Sequence, residues 1–523
     1  MVQRNFNQKM QAREGYIKHT ATSHTGLSYK GANSQGAMAV PPLKASSFLH
    51  FHAIRPLILS ISILLTLITI LEALEVGGNG ENGIFKEILR DEAVFRLKEL
   101  GKVSDREGYL ERTFLSPASL RAADLIISWM QDAGLQTWID QMGNIHGRTE
   151  AITTSSKALI IGSHMDTVVD AGMYDGLLGI ISAISAVKAL KISGKLEKLQ
   201  RPVEVIAFSD EEGIRFQSTF LGSAAIAGTL PRSILQVSDK SGFTLQDVLK
   251  ENSVEATEEI LSKVMYNSES VWGYIEVHIE QGPVLETLDY PLGIVKGIAG
   301  QTRLKVMVSG TQGHAGTVPM LLRQDPMVAS SELIVTLESL CKYPDKFLTI
   351  GEDSGIFQKE SFSGLVCTVG ELSCWPSASN VIPGQVNFTV DIRAMDDKAR
   401  GAIVSEFSKQ ISERCDNRLV NCSIEHKHSA EATNCDKDLT SQLKHAADSA
   451  IKKLSTHVLG DMPVLMSGAG HDAMAMAKLT KIGMLFVRCR GGISHSPDEF
   501  VMEDDVWAAG LALVHFLEQH VVE

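Results

Sequence analysis

The chain lacks an excess of basic residues: 49 Lys and Arg against 62 Asp and Glu leave a formal net charge of −13. Nucleic acid demands basic stripes, so no nucleic-acid partner is expected. It also lacks any Cys-x-x-Cys pair among its seven cysteines (Cys341, Cys367, Cys374, Cys415, Cys422, Cys435, Cys489). Thiolate metal binding is therefore disfavoured, and the odd count leaves at least one free thiol or an intermolecular bond. The uncharged run Leu57–Leu71 is fifteen residues long, short of the roughly 20 that span a bilayer.

That run does fit the apolar region of a secretory signal. Residues 1–56 carry seven Lys/Arg and one acid, Glu14, so this stretch is near +6 and the remainder near −19. A start at Met38 would give the short basic lead Met-Ala-Val-Pro-Pro-Leu-Lys. Residues 1–37 are thus expected to be a basic, superfluous or disordered leader, and 38–76 a signal peptide or signal-anchor. The expected compartment is the endoplasmic reticulum or secretory pathway, with membrane contact at most through this segment. Asn387-Phe-Thr and Asn421-Cys-Ser match the glycosylation pattern, but such triplets are common by chance.

With 523 residues, 44% of them hydrophobic and 21% charged, the chain suits a soluble enzyme of two domains. From 84 to 297, apolar strand runs such as Ala158-Leu-Ile-Ile-Gly and Val203-Glu-Val-Ile-Ala-Phe alternate with helical stretches such as 177–187. Near Gly297 the pattern changes. Thr302–Val308 and Val386–Arg393 alternate like half-exposed strands, with helices at 325–341 and 396–414. A strand pair is expected around Val381-Ile-Pro-Gly-Gln, through a two-residue turn. The fold class expected is α/β: a split catalytic domain (84–297 and 431–523) with a mixed sheet covered by helices. A two-layer α+β lid and dimerisation domain (298–430) is inserted into it.

Five separated fragments place imidazoles and carboxylates on short turns: Gly-Ser-His164-Met-Asp166, Tyr-Asp175-Gly, Ser-Asp-Glu211-Glu212-Gly, Glu-Val-His278-Ile-Glu-Gln-Gly and Ser-His495-Ser-Pro. Each has an ordinary explanation: a strand-end hydrogen bond for His164 and Asp166, a helix cap for Asp175, a solvated turn for the glutamates, a core or loop histidine for the others. Together they supply donors for two borderline divalent ions sharing a carboxylate. Two ions about 4 Å apart activate water against a carbonyl-like carbon. Adjacent Glu211 and Glu212 can divide the work, one as ligand and one as proton acceptor.

These fragments resemble the aminoacylase/carboxypeptidase-type di-metal amidohydrolases. The His278-Ile-Glu-Gln-Gly stretch places them nearer the carbamoyl-amidohydrolase branch. Asp210-Glu-Glu-Gly-Ile-Arg-Phe-Gln-Ser-Thr-Phe-Leu-Gly-Ser, Ala299-Gly-Gln301-Thr-Arg, Ser379-Asn380-Val-Ile-Pro-Gly and Ser467-Gly-Ala-Gly-His471-Asp extend the match to the plant allantoate amidohydrolases. Ureidoglycolate-specific relatives carry a tyrosine where this chain has Gly470, which favours allantoate. Ureidoglycolate, N-carbamoyl amino acids and β-ureidopropionate are the competing substrates, and a metal-loaded dimeric binding protein is the competing reading outside enzymes.

The resemblance implies His164 and His278 on one ion, Glu212 and His495 on the other, and Asp175 bridging. It implies Glu211 as general base, Asp166 supporting His164, and Gln301, Asn380, Arg393 and His471 holding substrate. It further implies a homodimer whose lid carries His314 into the partner's site, and two divalent ions per subunit, manganese ahead of zinc or cobalt.

Overall fold

The computed structural model describes residues 80–521 except 151, 153–155, 253–256, 349–356 and 455–459. The leader and signal segments expected over 1–76 lie outside the described residues. Among the described residues no helix is long and apolar enough to cross a membrane.

In chain order the first strands are β1 (Gln136–Ile139), β2 (Ile145–Arg148), β3 (Ala158–His164), β4 (Val203–Phe208), β5 (Val271–Ile279) and β6 (Leu292–Ile298). The chain then builds β7 (Gly300–Ser309), β8 (Gly313–His314), β9 (Val366–Thr368), β10 (Leu372–Trp375), β11 (Val381–Ile382), β12 (Gln385–Ala394) and β13 (Asn421–Ala430). It ends with β14 (Thr433–Asn434), β15 (Val464–Ser467) and β16 (Ile482–Val487).

Strands from both ends of the chain form one nine-stranded mixed sheet, ordered β1-β2-β4-β3-β5-β16-β6-β14 with β15 on β6. Its centre is parallel: β4, β3, β5 and β16 run together. All seven residues of β3 and all six of β4 are buried, which is why they read as continuous apolar runs rather than alternating ones. The helix Leu177–Ile192 is buried nearly all round, as a helix without a polar face must be. Because β4, β3 and β5 are parallel neighbours, their carboxyl ends deliver Glu211, His164 and His278 to one edge. Open α/β sheets place their chemistry there.

Residues 300–430 form a second sheet, β10-β12-β7-β13 with β9 on β12. One face is buried under helices Pro326–Lys342 and Asp397–Arg418, around a core including Leu304, Val306, Phe388, Leu333 and Phe407. Both helices start on an aspartate cap: Asp325 accepts from Met327 N and Asp396 from Lys398 N. The strict in–out alternation of β12 leaves Asp391 and Arg393 on the opposite, open face.

The expected turn at Pro383-Gly384 does not join a strand pair. β11 pairs with β8 (Val381 opposite His314), whereas β12 pairs with β10 and β7. Both edges of β12 are filled by longer partners, so the short Val381–Ile382 segment finds its ladder elsewhere. Disulfides Cys341–Cys367 and Cys415–Cys422 each tie one of the two covering helices to a strand, β9 and β13 respectively. Cys374, Cys435 and Cys489 are free.

A buried polar network pins the β2–β4 side of the large sheet. His146 Nδ1 lies 2.8 Å from Glu204 Oε1 and its Nε2 3.2 Å from Asp140 Oδ2. Trp138 stacks on the ring at 4.7 Å. Burial alone would lower the imidazole pKa, but the bonds to Asp140 and Glu204 outweigh it and raise the value from 6.5 to about 9. A raised pKa means the folded state holds this proton more tightly than the unfolded chain. The stability it contributes is complete below about 6.5 and lost as pH rises through about 9. His146→Gln is therefore expected to flatten the fall in unfolding free energy between pH 6.5 and 9, by on the order of 2 kcal/mol. Denaturant titrations at both pH values check this. An unchanged slope in the variant refutes it.

Candidate metal centre

Nδ1 of His164 is 3.1 Å from the backbone oxygen of Asp166, and Nδ1 of His278 is 3.0 Å from that of Ile279. A carbonyl oxygen only accepts, so both Nδ1 atoms carry protons, which leaves the inward Nε2 atoms as the ones able to offer lone pairs to an ion. Those Nε2 atoms are 3.4 Å apart and lie 3.3 and 3.0 Å from Asp175 Oδ1. Asp175 Oδ1 is itself buried and makes no hydrogen bond. Two imidazole nitrogens and a carboxylate oxygen converging in a dry pocket need a shared cation between them, a proton or a metal ion. Their spacing falls within the roughly 3.0–3.6 Å edges, octahedral to tetrahedral, around an ion with bonds of about 2.1–2.2 Å. The residues fit a metal ion.

The second carboxylate oxygen of Asp175 faces another set. His495 Nε2 is 3.4 Å from Asp175 Oδ2 and 3.2 Å from Glu212 Oε1. His164, Asp175 and His278 thus form one ligand cluster, and Asp175, Glu212 and His495 a second. Asp175 is common to both. Its Oδ2 also accepts from Gln281 Nε2 at 2.8 Å and Ser494 Oγ at 2.7 Å. For Oδ2 to serve an ion, one of these donors must turn away.

Glycine is required beside this carboxylate: Gly176 has φ +68°, and a Cβ there would lie 2.4 Å from the His164 backbone oxygen. Asp210, Gln281 and His495 adopt left-handed backbone, strain of the kind that collects at functional sites.

Asp166 supports its neighbours differently from the sequence expectation. Its carboxylate is 3.7 Å from His164 Nδ1, which instead uses the Asp166 backbone oxygen. The carboxylate accepts from Glu211 N at 2.9 Å and Glu212 N at 3.1 Å. Asp166 therefore orients the paired glutamates, because the turn points their amides at it. Glu211 is buried, and burial is what chiefly pushes its carboxyl well above the usual range. His164 pulls the other way, while the charges of Glu212, Asp472 and Asp166 reinforce the rise. A concentration of carboxylates like this one is a second sign that a cation belongs here.

A family model described as peptidase family M20/M25/M40 matches residues 160–519. The chain belongs to that family. It is similar to a probable allantoate deiminase of rice (69% identity over 462 residues, covering 88% of this chain and 94% of the relative). An Arabidopsis thaliana allantoate deiminase is 64% identical over 442 residues, 84% of each chain. Among solved structures, a hydantoinase/carbamoylase-family amidase of Burkholderia multivorans superposes with a TM-score of 0.72 at 25% identity, covering 83% of this chain and 98% of the other.

The remaining expected site residues of this M20/M25/M40 chain divide into three groups. His471 is buried behind the centre: its ring meets that of His278 edge-on at 4.4 Å, and its Nε2 is 2.6 Å from Ser467 Oγ. Burial, with His278 nearby, holds it well below its usual pKa and so neutral. A Cβ on Gly470 would stand 2.8 Å from Phe220 Cζ, so a tyrosine there requires Phe220 to move.

His314 and Asn380 come together at the β8–β11 ribbon, where Ala315 N donates to the Asn380 backbone oxygen at 2.9 Å. His314 is exposed, and its Nδ1 accepts from Gly316 N. Neither makes a described contact with the ligand clusters. Gln301 and Arg393 face each other across β7 and β12, and Arg393 Nη1 donates to the Gly468 oxygen at 2.6 Å. That bond links the open face of the second sheet to the loop carrying His471.

Sequence reasoning missed four residues. Gln281 and Ser494 hold Asp175 Oδ2, and each lies within an expected fragment without a role assigned to it there, which was the available signal. Glu499 Oε1 accepts from the Tyr174 and Asp175 amides at 2.8 and 3.0 Å. Burial and the Asp175 charge raise its pKa to about 7. Asp391, on the second sheet, had no signal at all.

Proposed function

We propose that this chain hydrolyses a ureido group of allantoate, giving ureidoglycine, ammonia and CO₂. It is a hydrolase of ureido C–N bonds. Its kinship with allantoate deiminases supports the substrate, and the Asp175 carboxylate shared between two ligand clusters, with Glu211 beside them, carries the chemistry. In this reading His164 and His278 hold one ion, Glu212 and His495 the other, and Asp175 bridges. When bound, the ions supply Lewis acidity and make water acidic enough to attack at neutral pH. Manganese suits a set of imidazoles and carboxylates without thiolate.

The protein's own groups do the rest. Glu211 takes the proton of the attacking water and delivers it to the leaving nitrogen, while Asp166 holds the Glu211 and Glu212 amides. His314, brought by a partner subunit's lid, donates to the oxygen that gains charge. Arg393 forks onto the substrate carboxylate, with Gln301 and Asn380 on the ureido groups. Neutral His471 braces His278. The two lid disulfides, together with the basic and apolar stretch over 38–76, support folding in the oxidising secretory pathway.

Ammonia release measured on allantoate, ureidoglycolate, an N-carbamoyl amino acid and β-ureidopropionate tests the substrate. A preference for any but allantoate overturns it. For the dimer, mixing Glu211→Gln with His314→Asn subunits should restore activity that neither variant has alone, since each mixed dimer keeps one complete site. No recovery after confirmed subunit exchange refutes the shared site.

A further inference from the structure

On the open face of the lid sheet, three side chains meet at one carboxylate. Asp391 Oδ1 accepts from Arg393 Nε at 2.9 Å, and its Oδ2 from Arg393 Nη2 at 3.0 Å. The same Oδ2 accepts from Gln301 Nε2 at 2.7 Å and from Arg303 Nε at 3.1 Å. A cavity of about 530 Å³ opens beside this group, lined by Asp391, Arg393, Thr389, Lys427 and Gly468 among others. Burial would raise the Asp391 pKa, but bonds from Arg393, Gln301 and Arg303 hold it below the usual carboxylate range. Asp391 is thus an ionised group that only accepts hydrogen bonds.

That fixes the polarity of both neighbours. The end of Gln301 turned to Asp391 must be its NH₂ group, so Oε1 is the end left over. No described donor meets it. Arg393 spends Nε–H and one Nη2–H on Asp391 and one Nη1–H on Gly468, which leaves one N–H on each terminal nitrogen.

We infer that Asp391 is a positioning residue for substrate selection: by committing the Gln301 amide nitrogen and the side edge of Arg393, it presents an acceptor for a ureido N–H beside a donor pair for a carboxylate. The inference rests on the ureide reading above. A ureido group is rich in N–H donors, and an inverted Gln301 would meet them donor to donor. Sites built on matched hydrogen bonds discriminate through that mismatch.

Steady-state kinetics on allantoate with the manganese-loaded full chain test it. Asp391→Ala is expected to raise KM about tenfold with kcat within about threefold, because Gln301 and Arg393 then lose the acceptor that sets their orientation. In a double-mutant cycle with Gln301→Ala, the two changes should be non-additive, as expected if one acts through the other. A purely structural role would lower the fraction of active enzyme, and hence kcat, with KM unchanged and additive effects. That pattern, or a KM within twofold of the parent, overturns the inference. If Asp391→Ala does not fold, Gln301→Met removes the acceptor that Asp391 is inferred to present: a tenfold rise in KM supports the inference and an unchanged KM overturns it. Should the unmodified chain not turn over allantoate, the ureide reading fails separately, and the cycle is run on the ureido compound it does hydrolyse.

Discussion

Glu211→Gln should keep two metal equivalents per chain while losing at least about a thousandfold in kcat, near the upper range for removing a general base. The substitution keeps the side chain's size and one acceptor oxygen, and the Asp166 bonds to the two amides are made by backbone nitrogens, so the turn should hold. It removes a charge from a pocket where Asp166, Glu212 and Asp472 already crowd Glu211. Stability should therefore not fall. Glu211 also lies close enough to His164 and Glu212 to be a ligand itself, and the experiment separates the two roles. Elemental analysis showing loss of one ion would make Glu211 a ligand. Retained turnover would remove it from the chemistry altogether.

Exhaustive chelation should abolish turnover, and readdition of Mn²⁺ should restore it more fully than Zn²⁺ or Co²⁺. The physical basis is the pair of inward lone pairs on His164 and His278 facing the unbonded Asp175 Oδ1. Ions held by the folded site and not by the unfolded chain stabilise the fold, so the apo-protein should also melt earlier. Ions at a thousand times their Kd would add about 4 kcal/mol of stability, a shift of several degrees in Tm. Full activity with less than one ion per chain would sink the two-ion reading. An unchanged Tm on chelation would show that the ligand residues are held by the fold alone.

The catalytic edge was largely legible because its signals are local. A continuous apolar run ending in Ser163-His164, or one ending in Ser209-Asp210-Glu211, marks a buried strand and places chemistry at its end. The two helices over the second sheet were legible as well, expected at 325–341 and 396–414 and found at Pro326–Lys342 and Asp397–Arg418. The β8–β11 ribbon was not, because two-residue strands carry no period and their pairing depends on which longer strands have claimed the neighbouring edges. Glu499 was missed for a related reason: its partners, the amides of Tyr174 and Asp175, lie more than 300 residues away, and nothing local distinguishes a carboxylate that caps them from one that faces water.

By itself, then, the sequence determined the donor types, their positions at strand ends and the family of chemistry, since residue identity and short-range periodicity are written in adjacent letters. Tertiary structure decided which donors share an ion, that Asp166 serves the glutamates rather than the histidine ring, how the lid cysteines pair, and that Asp391 organises Gln301 and Arg393. His164 and His278 stand 114 residues apart. Only the parallel pairing of β3 with β5 brings their nitrogens within 3.4 Å, and that pairing is a property of the whole buried sheet rather than of either strand.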